Sequence, residues 1–288
     1  MKDSLIKIPF LSILFPLSLG LFIFVLWQNN HITVTRMDFS SEKLPSDFDN
    51  FKILQISDLH NKEFGKNSHR LIKKIKDLTP DIIVITGDLV DSRRTDIDAA
   101  LALVREAVKL APVYYVPGNH ESRSSIYKEL FPLLEETGVT LLLDSKLQLR
   151  EKNSSIELIG VVDPRFRYKK GLKNSDKNIL NHSLSMLVNK DSEDFTLLLS
   201  HRPELIELYA EYDIDLVFSG HAHGGQVRLP FIGGLLAPGQ GFFPKYTSGM
   251  HRVKNTTMII SRGLGNSAFP VRVFNRPELI LVTLSSEK

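Results

Sequence analysis

From residue 51 onward, short apolar runs alternate with amphipathic stretches, and the pattern predicts a layered α/β fold. Phe51–Ser57 (FKILQIS), Ile82–Thr86 (IIVIT), Val113–Val116 (VYYV) and Val139–Leu143 (VTLLL) read as buried strands. Helix-like stretches lie between them near Ser68–Leu78, Asp96–Leu110 and Ser124–Glu136. Continuous β-branched runs separated by helices of that length predict βαβ units and a largely parallel sheet. Later runs at Ile156–Val162, Phe195–Ser200, Leu216–Ser219, Met258–Ser261 and Leu279–Leu284 have fewer helices between them. They predict a second sheet packed on the first, with more antiparallel strands.

The N-terminus departs from this pattern. Ile8–Trp27 (IPFLSILFPLSLGLFIFVLW) has no charge, and none appears until Arg36. A helix of about 20 such residues spans a hydrocarbon core of roughly 30 Å. Trp27 stands at the far end, where an amphipathic ring suits the interface. Residues 1–30 are therefore expected to form a single-pass N-terminal transmembrane anchor, 31–50 a polar tether and 51–288 the folded domain. A cleaved signal peptide is the competing reading, but the apolar stretch is long for one and no A-x-A-like site follows it. Lys2 and Lys7 precede the segment closely, whereas Arg36 and Lys43 follow at a distance. That bias leans toward a cytoplasmic N-terminus and a folded domain outside the cytoplasm.

Composition narrows the classes of function. Apolar residues make up 42% of the chain and charged residues 24%, enough for a sizeable core. Cysteine is absent, which excludes disulfides, zinc thiolates and thiol nucleophiles. The net charge of +3 gives no reason to expect nucleic acid as a partner, and no protein partner is readable. One polar interruption, Asp163–Asp194, carries Arg165, Arg167, Lys169, Lys170 and Lys173. It reads as a solvated insertion loop with one short helix, or alternatively as a basic lid over an anionic substrate or acidic headgroups.

The candidate chemistry sits at the ends of the predicted strands. Asp58-Leu59-His60 follows the first run, Gly87-Asp88 the second and Gly118-Asn119-His120-Glu121 the third. His201 closes FTLLLSH, and Gly220-His221-Ala222-His223-Gly224-Gly225 follows LVFS. Each piece alone is an ordinary turn, cap or loop residue. Together they fall where open α/β sheets bind ligands, outside the carboxyl ends of strands. Imidazole, carboxylate and amide oxygen suit manganese, iron or zinc. Two such ions about 3.5–4 Å apart need a bridging carboxylate, and they activate water toward phosphoryl centres.

The series D-x-H, G-D, G-N-H-E, H and G-H-x-H resembles the calcineurin-like metallophosphoesterases over about residues 52–284. Gly220–Gln226 (GHAHGGQ), Ser261–Gly265 (SRGLG) and Pro270–Glu278 (PVRVFNRPE) look closest to the YkuE/YaeI branch of membrane-linked bacterial phosphoesterases. The resemblance implies a four-layer α/β/β/α sandwich holding two divalent metal ions. It implies that Asp58, His60 and His223 hold one ion, that Asn119, His201 and His221 hold the other, and that Asp88 bridges them. His120 would face the phosphate as a catalytic residue, with a hydrogen-bonding supporting role as its alternative.

The implied activity is hydrolysis of phosphodiester or pyrophosphate bonds at a membrane. The branch raises UDP-2,3-diacylglucosamine, a nucleotide-linked lipid of the lipid A pathway, as a substrate. A broad phosphodiesterase or phosphomonoesterase is the alternative, and a non-catalytic membrane scaffold a remote one. Asp91 reads equally as an orienting residue or a helix cap, and Glu121 as a support for its loop. Arg202, next to His201, is expected at the surface, with a contact to phosphate as its alternative. Phe242 and Phe243 are expected to pack beneath their Gly/Pro-rich loop or, if exposed, to form an apolar rim.

Overall fold

The computed structural model describes residues 10–123, 125–168, 175–266 and 269–287. Its strands are β1 (Thr33–Ser41), β2 (Lys52–Ile56), β3 (Ile82–Thr86), β4 (Val113–Val116), β5 (Thr140–Leu141), β6 (Ser145–Glu151), β7 (Ser154–Gly160), β8 (Thr196–Leu199) and β9 (Leu216–Ser219). Two short ladders follow, β10 (Arg228–Leu229) with β11 (Gly233–Gly234) and β12 (Leu236–Ala237) with β13 (Gly241–Phe242). The last strands are β14 (Gly249–Val253), β15 (Thr256–Ile260) and β16 (Glu278–Ser286). The helices are α1 (Phe10–Asn30), α2 (His69–Leu78), α3 (Ile97–Ala107), α4 (Asn119–Arg123), α5 (Tyr127–Glu136), α6 (Asp176–Leu187) and α7 (Ile206–Glu211).

One sheet runs β1-β16-β2-β3-β4-β5 and the other β14-β15-β9-β8-β7-β6. In the first, only the β16–β2 pair is antiparallel. In the second, the central strands β15, β9, β8 and β7 are parallel, and each edge strand is antiparallel to its neighbour. The second sheet thus has the greater antiparallel share, confined to its edges. Every central strand is apolar on both faces because each sheet is covered twice. On β2, Ile53 packs between the sheets while Leu54 packs under α2 and α3 with Leu71 and Val104. On β9, Phe218 enters the inter-sheet core while Val217 meets Leu184 of α6 and Tyr209 of α7. Three apolar layers therefore bind four structural ones.

Two regions differ from the sequence expectation. Residues 31–50 are more than a tether, because β1 pairs in parallel along all of β16, from Thr33 opposite Glu278 to Ser41 opposite Ser286. As an edge strand, β1 buries little: Val34 packs toward the helices and Phe39 toward the other sheet. Its remaining polar positions hid the alternation. The stretch 163–194 carries the one helix expected of it, but α6 is not merely solvated, since it buries Leu180 and Leu184 against the second sheet. Lys169, Lys170 and Lys173, on which the basic-lid reading relied, lie outside the described residues.

The described part of α1 exposes Phe15, Leu17, Leu21, Phe22 and Ile23. Among the described residues, no helix is long and apolar enough to cross a membrane. Residues 1–9 of the expected anchor lie outside the described residues. The foot of α1 is fixed to the domain: Asn29 Oδ1 accepts from Asn266 Nδ2 at 3.0 Å and from the Arg272 backbone N–H at 3.1 Å.

Candidate active site

Successive strand ends bring the candidate residues to one place. Asp58 and His60 follow β2, Asp88 follows β3, and Asn119 and His120 open α4 just beyond β4. His201 follows β8, and His221 and His223 follow β9. All are buried. Ligand-capable atoms of Asp58, His60, Asp88 and His223 lie within 4.8 Å of one another, as do those of Asp88, His201 and His221. Asp88 belongs to both groups. A third group joins His60 to Asp91 and His120.

Distances define the centre further. Asp88 Oδ2 is 3.3 Å from His201 Nε2 and 3.6 Å from His60 Nε2. Asp58 Oδ1 is 3.3 Å from His223 Nε2, and His60 Nε2 lies 3.1 Å from His223 Nε2. His201 Nδ1 is 2.7 Å from the Thr86 carbonyl, which can only accept, so Nδ1 carries the proton and Nε2 is left toward Asp88. The Asn119 Oδ1 atom is buried without a hydrogen-bond partner in the protein. A cleft of about 440 Å³ beside His60 is lined by Asn61, Lys62, Asp91, Arg94, Asp96 and Asn266.

Unusual backbone makes this convergence possible. Asp58, His60, Asp88, His221 and His223 have φ of 50°, 49°, 53°, 66° and 48°. Side chains seldom adopt that left-handed region, and such strain concentrates at functional sites. Gly220 admits the close approach: a Cβ there would lie 2.5 Å from Asp58 Oδ2 and 2.0 Å from Ser57 Oγ. Glu121 fastens the loops, accepting from the backbone N–H of Gly118 at 2.8 Å, Asp88 at 3.1 Å and Val90 at 3.2 Å. Its expected supporting role therefore extends to two loops.

Burial sets the protonation states. It pushes the Asp58 carboxyl up to about 6 and the Glu121 carboxyl up to about 7. Burial acts the same way on Asp88, but the facing His201 more than reverses it and holds that carboxyl well below its ordinary range. For His201, burial lowers the pKa, yet the Asp88 carboxylate wins and raises it to about 10. Burial takes His60 down to about 3 and holds His221 and His223 well below their ordinary value. Neutral imidazoles and ionised carboxylates are the ligating forms, so His201, protonated beside Asp88, has a proton to release before it can ligate.

The remaining candidates sort by contact. His120 Nδ1 accepts from the Ser92 backbone N–H at 3.1 Å, which leaves the proton on Nε2. Its ring centroid lies 4.5 Å from that of His60. Asp91 is not the cap of α3, because Asp96 accepts from the Ala99 N–H there at 3.1 Å. Asp91 instead lies 3.8 Å from both His60 Nδ1 and His120 Nδ1 and is tied to Arg93.

Arg202 corrects the surface expectation. It is 3% exposed, paired with Asp163, and its Nη1 is 3.1 Å from His221 Nε2. Phe242 and Phe243 also differ from the packed expectation, being 78% and 70% exposed. Sequence reasoning missed Arg123 at the end of α4. Partial burial and the charges of Arg165 and Arg202 hold its guanidinium below its ordinary value, while Asp88 pulls it upward. Its position three residues after His120 was the available signal.

The donor set fits two cations. The facing His60 and His223 nitrogens, the unpartnered Asn119 oxygen and a carboxylate common to two groups are what a dinuclear oxygen-and-nitrogen site requires. The layered fold and this centre define the class: a metal-dependent phosphoester hydrolase. Comparison gives the family, as the model of the calcineurin-like phosphoesterases matches residues 51–225. The chain belongs to that family. It is 31% identical over 263 residues to the uncharacterized metallophosphoesterase YkuE of Bacillus subtilis (strain 168), across 88% of this chain and 86% of that protein. It is 27% identical over 241 residues to the phosphodiesterase YaeI of Escherichia coli (strain K12), across 81% of this chain and 82% of that protein. A transmembrane protein with a metallophosphoesterase domain from Bos taurus is 30% identical over 271 residues, which cover 88% of this chain and 57% of that protein.

Proposed function

We propose that the chain is a dinuclear phosphodiesterase of broad specificity, held at a membrane by its N-terminal apolar segment with the catalytic domain outside the cytoplasm. The observation that carries the catalytic reading is the membership of Asp88 in both ligand groups. Asp58, His60 and His223 would hold one ion, Asn119, His201 and His221 the other, and Asp88 both, with manganese, iron or zinc as the metals. When bound, the ions supply Lewis acidity to water and to the phosphoryl oxygens. His120 presents its Nε2–H to a phosphoryl or leaving oxygen, held in that tautomer by the Ser92 amide. Arg94 lines the cleft together with Asp91 and Asp96, and Arg123, which feels the Asp88 charge, is a cation available to a phosphate ester.

The exposed phenylalanines favour a second, narrower reading in which the ester carries an acyl chain. UDP-2,3-diacylglucosamine is the case that the sequence resemblance raises. The test of the catalytic reading is Asp88→Asn in metal-replete protein with bis-p-nitrophenyl phosphate. Turnover is expected to vanish while the fold persists, and unaltered turnover overturns the reading. Release of UMP from UDP-2,3-diacylglucosamine in detergent tests the narrower one, and its absence removes it. A reporter fused at the C-terminus reads the side of the membrane, and a cytoplasmic signal reverses the orientation.

A further inference from the structure

Where α1 meets α2, a groove of about 570 Å³ has an apolar wall of Ile23, Leu26, Trp27 and Ile32 and a basic wall of Arg70 and Lys74. Among the described residues that line it there is no carboxylate. Arg70 and Lys74 stand four residues apart on α2, so they share one face and repel each other. Arg70 also occupies the first turn of α2, which has no acidic residue, where the helix dipole favours an anion. On the far side, Arg276 lies over the Trp27 ring at 4.7 Å and meets His31 Nδ1 at 3.1 Å. Cations gathered without acids at the foot of an exposed apolar helix are costly unless an anion joins them.

We propose that this groove binds an anionic phospholipid, its headgroup phosphate between Arg70 and Lys74 and its acyl chain along Ile23 and Leu26. The proposal rests on the reading of α1 as a membrane anchor and adds to it a specific lipid site. The chemistry of the two walls selects this occupant: a free phosphate uses only the basic one, and an uncharged lipid only the apolar one. Basic residues beside a membrane segment each gain from anionic headgroups, and the interfacial Trp27 sets their depth. The site also neighbours the catalytic loops, because Asn29 at the end of α1 bonds Arg272, which bonds the Asn275 carbonyl, and Asn275 Nδ2 donates to the His223 carbonyl at 2.7 Å. A lipid seated here would fix the height of the domain above the bilayer.

Trp27 is the single tryptophan of the chain, so its fluorescence reports the groove directly. The full chain in neutral detergent is titrated with brominated phosphatidylglycerol, brominated phosphatidylcholine or inorganic phosphate. Saturable quenching by phosphatidylglycerol is expected, at least about tenfold tighter than by phosphatidylcholine. The double variant Arg70→Gln/Lys74→Gln should lose that preference, and Arg70→Lys/Lys74→Arg should keep it. Equal quenching by both lipids overturns the proposal, as does full competition by inorganic phosphate or an unchanged preference in the glutamine variant. Quenching by neither lipid overturns the anchor with it. Hydrolysis of bis-p-nitrophenyl phosphate by the same samples is expected to be unaffected by the glutamine variant. A wild-type protein that binds the lipid but hydrolyses nothing would sink the catalytic reading and leave this one standing.

Discussion

Arg202 Nε and Nη2 meet the two carboxylate oxygens of Asp163 at 2.5 and 3.0 Å, in a pair closed off from solvent. Asp163 lies just beyond β7, and Arg202 follows His201 just beyond β8, so the pair joins the ends of two neighbouring strands. Breaking a buried pair by removing one partner leaves a charge without compensation. Asp163→Ala should therefore destabilise the protein by about 3 kcal/mol, at the low end of such losses. Glu204 at 3.3 Å and Asp176 at 3.6 Å still face the guanidinium and soften the effect. Urea denaturation of the variant and the parent measures the difference, and a change within error would show the pair to be dispensable.

His120 offers a cleaner separation of roles. If it donates a proton or hydrogen bond to the reacting phosphate, His120→Asn should lower kcat by about 10²- to 10⁴-fold and leave metal content unchanged. If instead it is a ligand in the grouping with His60 and Asp91, metal per chain should fall as well. Elemental analysis alongside kinetics distinguishes the two. Ser92→Ala should be mild, because the Ser92 backbone N–H continues to hold Nδ1 and fix the tautomer.

How much of this was legible beforehand depends on where the physical signal lay. The strand ends of β2, β3, β4, β8 and β9 were readable because central strands are continuous apolar runs, and the polar residue after each is conspicuous. The edge strand β1 was not, since Phe39 is its one fully buried position and its pairing with β16 joins opposite ends of the chain. Arg202 and Asp163 are separated by 39 positions, and no local pattern marks an arginine as buried. The left-handed backbone at Asp58 and His221 is equally silent, because only glycine advertises that conformation. Phe242 and Phe243 mislead in the other direction: phenylalanine predicts burial, and here it is exposed.

Arg272 supports the site from beneath. Fully buried, it donates to the Arg262 carbonyl at 2.9 Å, to the Asn275 carbonyl at 3.2 Å and to Asn266 Oδ1 at 3.0 Å. Burial lowers its guanidinium to about 10, still charged at neutral pH. Arg272→Leu would leave these acceptors buried and unpaired, at a cost of about 1–3 kcal/mol for each one that stays dry. Asn275, held by this arginine, holds the His223 carbonyl in turn. The variant is expected to melt earlier and to retain less metal after dialysis. A lowered melting temperature with full metal retention would confine Arg272 to stability.

Lys62 gives a pH dependence with a definite sign. Burial, and after it the charges of Arg272 and Arg70, lower its amine from 10.5 to about 7. A group depressed on folding contributes stability that is present above 10.5 and is lost as pH falls toward 7. In chelator-treated protein, Lys62→Met should therefore flatten the stability profile across this window, by on the order of a few kcal/mol. Parallel profiles for variant and parent would mean that the amine is solvated in the folded state.

Phe242 and Phe243 stand exposed, and the Phe243 N–H bonds the carbonyl of Leu235, whose segment packs on Gly225 two residues beyond His223. Replacing both by serine removes apolar surface that water already covers, and stability should scarcely change. Transition-state contacts with a small soluble diester do not reach them, so kcat/KM for bis-p-nitrophenyl phosphate should also hold. A phosphodiester bearing an acyl chain is different. Each phenylalanine that covers part of the chain contributes about 1 kcal/mol or more, so the pair should lower kcat/KM by at least about tenfold in mixed micelles. The discriminating quantity is the ratio of the two substrates: a loss shared equally would place the defect in the metal loops, and a loss restricted to the acylated ester would place an acyl chain on the rim.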